Sequence, residues 1–323
     1  MPMTRDQHDA RDVGRRTSDV GRSDEADELS QILKQVRRIE LRTKKLVSSL
    51  ASGGYRSAFK GSGLEFDEVR EYSAGDDIRH IDWNVTARAG KAFVKVFREE
   101  RELAILLLVD RSGSMRFGAI PGISERTKQA LAAEAAAGVA VNAMRNRDRI
   151  GLVAFSDRTD IHLPVRRGRG HSLRLVREVM AGGGRGRADL THALDELRRV
   201  TKRRAVCFLV SDFLDVDDRF TAALAQVARS HDLVGLRVAD PAEAALPAGR
   251  HPLALADPEG DGEMVLSLSA SARHDYAAAY ADQRQRVAAV FRGAGADLVD
   301  LRSDQGAATA ITRFFRERRR RVR

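Results

Sequence analysis

Four oxygen-bearing side chains carry the chemistry that this sequence offers: Asp110, Ser112, Ser114 and Asp212. The first three lie in Asp110-Arg-Ser-Gly-Ser114, a carboxylate followed by hydroxyls at every second residue. Carboxylate and hydroxyl oxygens are hard donors, and a cluster of them suits Mg²⁺ or Mn²⁺ better than a softer transition metal. The reading that needs no ligand is a tight strand-to-helix turn whose side chains cap backbone amides.

Two apolar runs must position these groups. Leu103 to Val109 reads as a strand buried on both faces of a parallel sheet, and it ends at Asp110. Ala205 to Ser211 is a second unbroken run, and it ends at Asp212. In adjacent parallel strands these ends share one rim, at a spacing of about 5 Å per strand. Open α/β sheets bind their ligands outside the carboxyl ends of the strands. Around these runs, helix and strand alternate. A helix capped by Ser124 runs to about Asn146, and Arg149 to Phe155 is strand. His171 to Met180 is helix, followed by the glycine-rich Ala181-Gly-Gly-Gly-Arg-Gly-Arg187 and a helix from Asp189 to Val200. Phe220 to Ala228 is helix and Leu233 to Val238 strand. A hairpin joins Leu253–Ala256 to Met264–Leu268 through Asp257-Pro-Glu-Gly-Asp-Gly262. A helix from about Ala272 to Phe291, a strand from Asp297 to Leu301 and a helix from about Ala307 follow. Such alternation implies a mainly parallel sheet with helices on both faces.

The N-terminal third differs. Residues 1–23 are polar, of mixed charge and without periodicity, and read as disordered. Residues 24–102 read as an amphipathic helix, with Leu29, Ile32, Leu33, Val36 and Ile39 on its stripe, followed by a β-rich segment. Within that segment Asp76, Asp77, Arg79, His80, Asp82 and Arg88 surround the sole tryptophan, Trp83. His80 and Asp82 lack a nucleophile beside them, so Arg–Asp pairs pinning a loop around Trp83 are the expectation. Residues 103–312 form the α/β domain, and 313–323 a basic tail.

Composition narrows the classes. The chain has 323 residues, one cysteine (Cys207, within an apolar run) and a net charge of +10. It therefore has no disulfide framework and no CxxC metal site. No apolar run approaches the ~18 residues of a membrane span, and the N-terminus lacks the apolar core of a signal peptide, so a cytoplasmic protein is expected. Residues 313–323 hold seven arginines against Glu317 alone, so the charge is a tail rather than a binding face. Removal of Arg318 to Arg323 is expected to leave the fold intact. The run could make weak contact with anionic membranes, at about 1 kcal/mol per basic residue.

Asp110-x-Ser-x-Ser resembles the first loop of the metal-ion-dependent adhesion site of von Willebrand factor A domains. The wider chain, from about Tyr55 to about Phe315, resembles the domain-of-unknown-function 58 family of bacterial proteins. That likeness rests on Gly61-Ser-Gly-Leu-Glu-Phe66, Arg70-Glu-Tyr72, Gly75-Asp-Asp-Ile-Arg79, Ile81-Asp-Trp83, Thr86-Ala-Arg88 and Leu108-Val-Asp-Arg-Ser-Gly-Ser-Met115. Ala239-Asp-Pro-Ala-Glu243 and Leu255-Ala-Asp-Pro-Glu-Gly-Asp-Gly262 extend it. The resemblance implies a von Willebrand factor A-like (Rossmann-type) fold, with Mg²⁺ (or Mn²⁺) held directly by Ser112 and Ser114, by Asp110, and through water by Asp212. It also implies a threonine ligand in the middle loop, where this chain has Ala188; Asp189 or Thr191 could substitute, and Asp189 could equally cap the next helix. Members are often encoded beside MoxR-type AAA+ ATPases and are thought to act with them as adaptors in chaperone-like maturation of client proteins.

Three functions compete. A non-enzymatic adaptor would let a partner's Asp or Glu complete the shell of the metal, with Arg111, Arg185 and Arg187 pairing to neighbouring acids. A phosphatase-like hydrolase with Asp110 as nucleophile would need an acid two residues on, where Ser112 stands. A nucleic-acid or anionic-surface binder acting through Arg318–Arg321 would have only Phe314 and Phe315 for base stacking. The adaptor reading is the expectation, with no enzymatic activity.

Overall fold

The computed structural model describes residues 64–99, 103–184, 186–249, 252–260 and 262–322. The expected N-terminal disorder and the amphipathic helix expected to end before Gly53-Gly54 lie outside them, as does Arg185.

The principal sheet has six strands: β3 (Ala104–Asp110), β4 (Arg149–Phe155), β5 (Thr159–Arg166), β6 (Val206–Ser211), β7 (Asp232–Ala239) and β10 (Asp297–Arg302). Their spatial order is β10-β7-β6-β3-β4-β5, and every pairing is parallel except β4 with β5. Numbered within the sheet this is 3-2-1-4-5-6, the doubly wound order, whose strand direction of travel reverses between the first and fourth strands. The fold is von Willebrand factor A-like.

Alternation along β3 fixes the two layers. Ile105, Leu107 and Val109 face a core shared with α2 (Lys128–Asn146), α3 (Arg169–Ala181) and α7 (Ala307–Val322). Leu106 and Leu108 face the opposite core, shared with α4 (Leu190–Val200), α5 (Asp218–Ser230) and α6 (Ala270–Ala294). Ala132, Ala135, Ala136 and Ala140 on α2 are fully or almost fully buried, so that helix approaches the sheet closely through small side chains. At Gly235 on β7, an added Cβ would lie 2.4 Å from the Phe291 ring, so the glycine admits α6 to the other face. Cys207 is buried in the second core, as its apolar setting implied.

Strand β5 escapes the sequence reading for a physical reason. It is an edge strand, it contains Pro164, and only Leu163 is fully buried. An edge can carry a proline and an exposed polar row that a central strand cannot. The helix expected to start at Ser124 begins instead after Thr127, whose side chain accepts from the Ala130 amide.

Before the main sheet, β1 (Leu64–Glu71) and β2 (Phe93–Glu99) form an antiparallel pair. Between them, Asp82 caps α1 (Trp83–Ala89), and Gly90 ends it at φ 67°. Arg70 grips Asp76 with bonds of 2.8 and 2.6 Å, and Lys95 stands 3.4 Å from Asp82. The loop is pinned by acid–base pairs as expected. Trp83, however, is 69% exposed, so the cluster does not enclose it; Asp82 serves the backbone amides instead.

The basic tail also needs correction. Residues 313–322 are the last turns of α7. Arg318, only 15% exposed, bonds Asp297 at 2.6 Å and Asp232 at 2.5 Å, and so ties the helix to β10 and β7. A charge run that would be costly to bury alone is held here by carboxylates placed at the starts of two strands. Deleting residues 318–323, or making Arg318→Ala, should therefore lower stability by about 1–3 kcal/mol in denaturant unfolding. An unchanged midpoint would restore the detached tail.

Candidate functional site

The sheet order puts the carboxyl ends of β3 and β6 side by side at the reversal point, and Asp110 and Asp212 stand there. Asp110, 1% exposed, accepts from the Ser112 amide at 2.8 Å and from the Ser211 hydroxyl at 2.6 Å. The Ser112 and Ser114 hydroxyls, both buried, are 3.1 Å apart. Directly after Asp212, Phe213 adopts φ 56°, a left-handed conformation costly for an aromatic residue. Its fully buried ring meets Phe291 edge-on at 5.1 Å, which offsets that cost and fixes the turn that presents Asp212 to the rim. The four residues expected to form one site are thus brought to one place.

Sequence reasoning missed the charge that balances them. Lys128, the first residue of α2, is completely buried, and its ammonium lies 2.7 Å from Asp212 Oδ2 and 2.5 Å from Glu243 Oε1. Burial alone would lower its pKa, but the two carboxylates outweigh that and hold it above the ordinary lysine range. A signal existed: a lysine at a helix N-terminus opposes the helix dipole, so some carboxylate had to justify it. Glu243 belongs to the Asp240-Pro-Ala-Glu243 capping box, in which the Asp240 amide donates to Glu243 at 2.9 Å. Asp240 in turn accepts from the Ser303 hydroxyl at 2.6 Å, so the network spans the ends of β6, β7 and β10.

The balance is incomplete. Lys128 is the ammonium bonded to Asp212 and Glu243, and Asp110 meets only neutral donors. Burial, followed by the nearby charge of Asp212, pushes the Asp110 carboxyl up to about 7, against the pull of the Ser211 and Ser112 hydrogen bonds. A carboxylate so placed calls for a proton or a cation.

A further carboxylate arrives from the hairpin of β8 (Leu253–Ala256) and β9 (Glu263–Leu266). At its tip, Asp257 accepts from the Glu259 amide at 2.9 Å, and Glu259 stands near Ser114, whose hydroxyl pulls its carboxyl down. Burial raises the Glu259 carboxyl more than the neighbouring Ser114 hydroxyl lowers it. Backbone contact is just as close: a Cβ on Gly113 would lie 1.8 Å from the Pro258 carbonyl oxygen.

The remaining candidates have other commitments. Asp189 is the cap of α4, accepting from the His192 amide at 2.8 Å. Thr191, in the first turn of α4, lines a cleft of about 470 Å³ with Ala188, Arg187 and Asp215. Ala188 packs against the second core. Arg187 forks onto Asp215. Arg111 is half-buried under the glycine-rich loop, where a Cβ on Gly184 would lie 2.0 Å from its carbonyl oxygen. The same loop is tied across the site by the bond from the Gly113 amide to the Gly186 carbonyl, 2.9 Å.

Comparison with known proteins adds the following. The family model "Protein of unknown function DUF58" matches residues 68–286. An uncharacterized protein of Mycobacterium tuberculosis is 33% identical over 290 residues, covering 88% of this chain and 89% of its own. Among solved structures, an aerotolerance-related membrane protein from Bacteroides fragilis is 14% identical with a TM-score of 0.44, covering 68% of this chain and 99% of that one. A von Willebrand factor type A protein from Catenulispora acidiphila is 16% identical with a TM-score of 0.35, covering 55% and 42%. Among the described residues, no helix is long and apolar enough to cross a membrane.

Proposed function

The chain belongs to the DUF58 family, and from that premise we propose that it is a non-enzymatic interaction module whose rim binds a divalent cation and, through it, an acidic side chain of a partner. The observation that carries this reading is the pair of buried hydroxyls 3.1 Å apart beside Asp110. Adjacent oxygens around an octahedral Mg²⁺, each at about 2.1 Å, stand about 3 Å from one another. Ser112, Ser114 and Asp110 would hold the ion, with Asp212 at its edge. The charge also fits, since the buried carboxylates exceed the one ammonium among them. The cation would supply an electrophilic centre with open positions, and the chain's own residues would exclude competing water and fix the direction of approach.

The middle loop weakens the site without removing it. Ala188 supplies no oxygen and Asp189 is engaged as a cap. Ala188→Thr is expected to tighten Mg²⁺ binding several-fold, read from the Mg²⁺ concentration at half-maximal thermal shift; an unchanged value would mean that the loop does not face the ion.

The proposed partner is a MoxR-type AAA+ ATPase, with a client protein matured by the pair and the action taking place in the cytoplasm. Family resemblance supports it, and so does Ser112 at the place where an aspartyl hydrolase needs its acid. The Arg318 contacts weigh against a free basic arm for nucleic acid or membrane. Co-purification with the ATPase in Mg²⁺ should be lost in EDTA and in Asp110→Ala, with Ser112→Ala and Ser114→Ala intermediate. A complex indifferent to EDTA and to Asp110→Ala would overturn the rim as the docking site.

A further inference from the structure

We propose that Glu259 is a built-in acidic ligand of the rim, so that the β8–β9 hairpin occupies the site in cis and a partner's acidic side chain must displace it. The inference rests on the rim being the cation and partner site argued above, and it names how access to that site is regulated.

Two contacts hold the tip in place. Pro258 lies against the backbone of Gly113, between the two serines, closely enough that no side chain fits there. The Glu259 amide nitrogen would lie 3.1 Å from a Cβ added at Gly113, which places half-buried Glu259 next to Ser114, one of the hydroxyls assigned to the ion. The tip is also pre-formed: Asp257 caps the Glu259 amide, and its own amide donates to the Gly262 carbonyl at 2.7 Å.

The rest of the hairpin has little to hold it. Its strands pair with each other and not with the principal sheet. Leu255, Met264 and Val265 are 36%, 59% and 70% exposed. A unit with few buried apolar contacts opens at low free-energy cost. The hairpin is therefore fastened at its tip and loose along its length, which is the arrangement a displaceable ligand requires. Arg187 beside the tip is already paired with Asp215, so that arginine is committed away from Glu259.

A site closed nine-tenths of the time binds its external ligand about tenfold more weakly than an open one. Two variants open it: Glu259→Gln removes the charge at an accessible position, and Gly113→Ala pushes Pro258 off the backbone. The probe is a fluorescein-labelled hexaglutamate peptide, followed by anisotropy in Mg²⁺ and in EDTA. Hydrogen exchange of residues 252–266 and the Mg²⁺-induced shift in melting temperature are read on the same samples. Expected are peptide binding about tenfold tighter in both variants than in wild type, loss of that binding in EDTA, and about tenfold faster exchange at the hairpin tip in Glu259→Gln. Equal peptide affinity in all three proteins, or hairpin exchange untouched by Glu259→Gln, overturns the proposal. If the wild type still gains melting temperature from Mg²⁺ in that case, the cation site stands and only the hairpin's role is removed. A wild type that gains nothing from Mg²⁺ removes the cation reading, and the displacement with it.

Discussion

Lys128→Met lowers the stability of this chain by about 3–5 kcal/mol, the cost of removing one partner from a buried ion pair. The methionine fills much the same space, so the loss is electrostatic rather than a cavity. It leaves Asp212 and Glu243, both well buried, facing each other without the ammonium that now lies between them. Burial already raises the Glu243 carboxyl against the pull of Lys128, so without the ammonium Glu243 must take up a proton on folding, and the loss is greater at pH 8 than at pH 5. A fall of this size corresponds to on the order of 10 °C in melting temperature for a domain of this length. Denaturant titration of both proteins at the two pH values measures it. A loss below about 1 kcal/mol would mean that Lys128 contributes no more than a surface lysine.

Asp110→Asn moves stability in the opposite direction when no divalent ion is present. The Asp110 carboxyl titrates at about 7 in the folded chain, mainly because of burial, against about 3.9 in an unfolded one. The folded state therefore holds this proton more tightly than the unfolded state. The contribution is complete below about pH 4 and is lost as pH rises towards 7. Asparagine keeps the shape, can accept from the Ser112 amide and can donate to Ser211, and carries no charge to desolvate. At pH 8 in EDTA the variant should be more stable than wild type by on the order of 2 kcal/mol, and the gap should close towards pH 5. In millimolar Mg²⁺ the order should reverse, because only the wild type gains a ligand. A wild type no less stable at pH 8 than Asp110→Asn in EDTA would show that Asp110 carries no excess charge. A residue that costs stability in the empty site and gains it with the ligand is the expected signature of function rather than folding.

Much of the architecture was legible because the central strands are apolar on both faces. Leu103 to Val109, Arg149 to Phe155 and Ala205 to Ser211 can hardly be anything but interior strands of a parallel sheet, and the two aspartates at their ends follow from that. Strand β5 was hidden because an edge obeys weaker rules. The site was legible where it is local and hidden where it is not. Asp110, Ser112 and Ser114 lie within one turn of chain, whereas Lys128 reaches Asp212 across 84 residues and Glu243 across 115. Glu259 comes from a hairpin whose own sequence announces only a turn. The arginines failed for a related reason: nothing in Arg187 or Arg318 reveals that Asp215, Asp232 and Asp297 already hold them.

The central claim is that the rim between β3 and β6 binds a divalent cation through Asp110 and the two serines. Calorimetric titration of Mg²⁺ into the wild type and Asp110→Asn at pH 7 tests it most directly. One saturable site is expected in the wild type and none in the variant. The wild-type heat should also change with the ionisation enthalpy of the buffer, because the ion displaces the proton that Asp110 partly holds at that pH. Equal heats in the two proteins, or no heat in either, would contradict it.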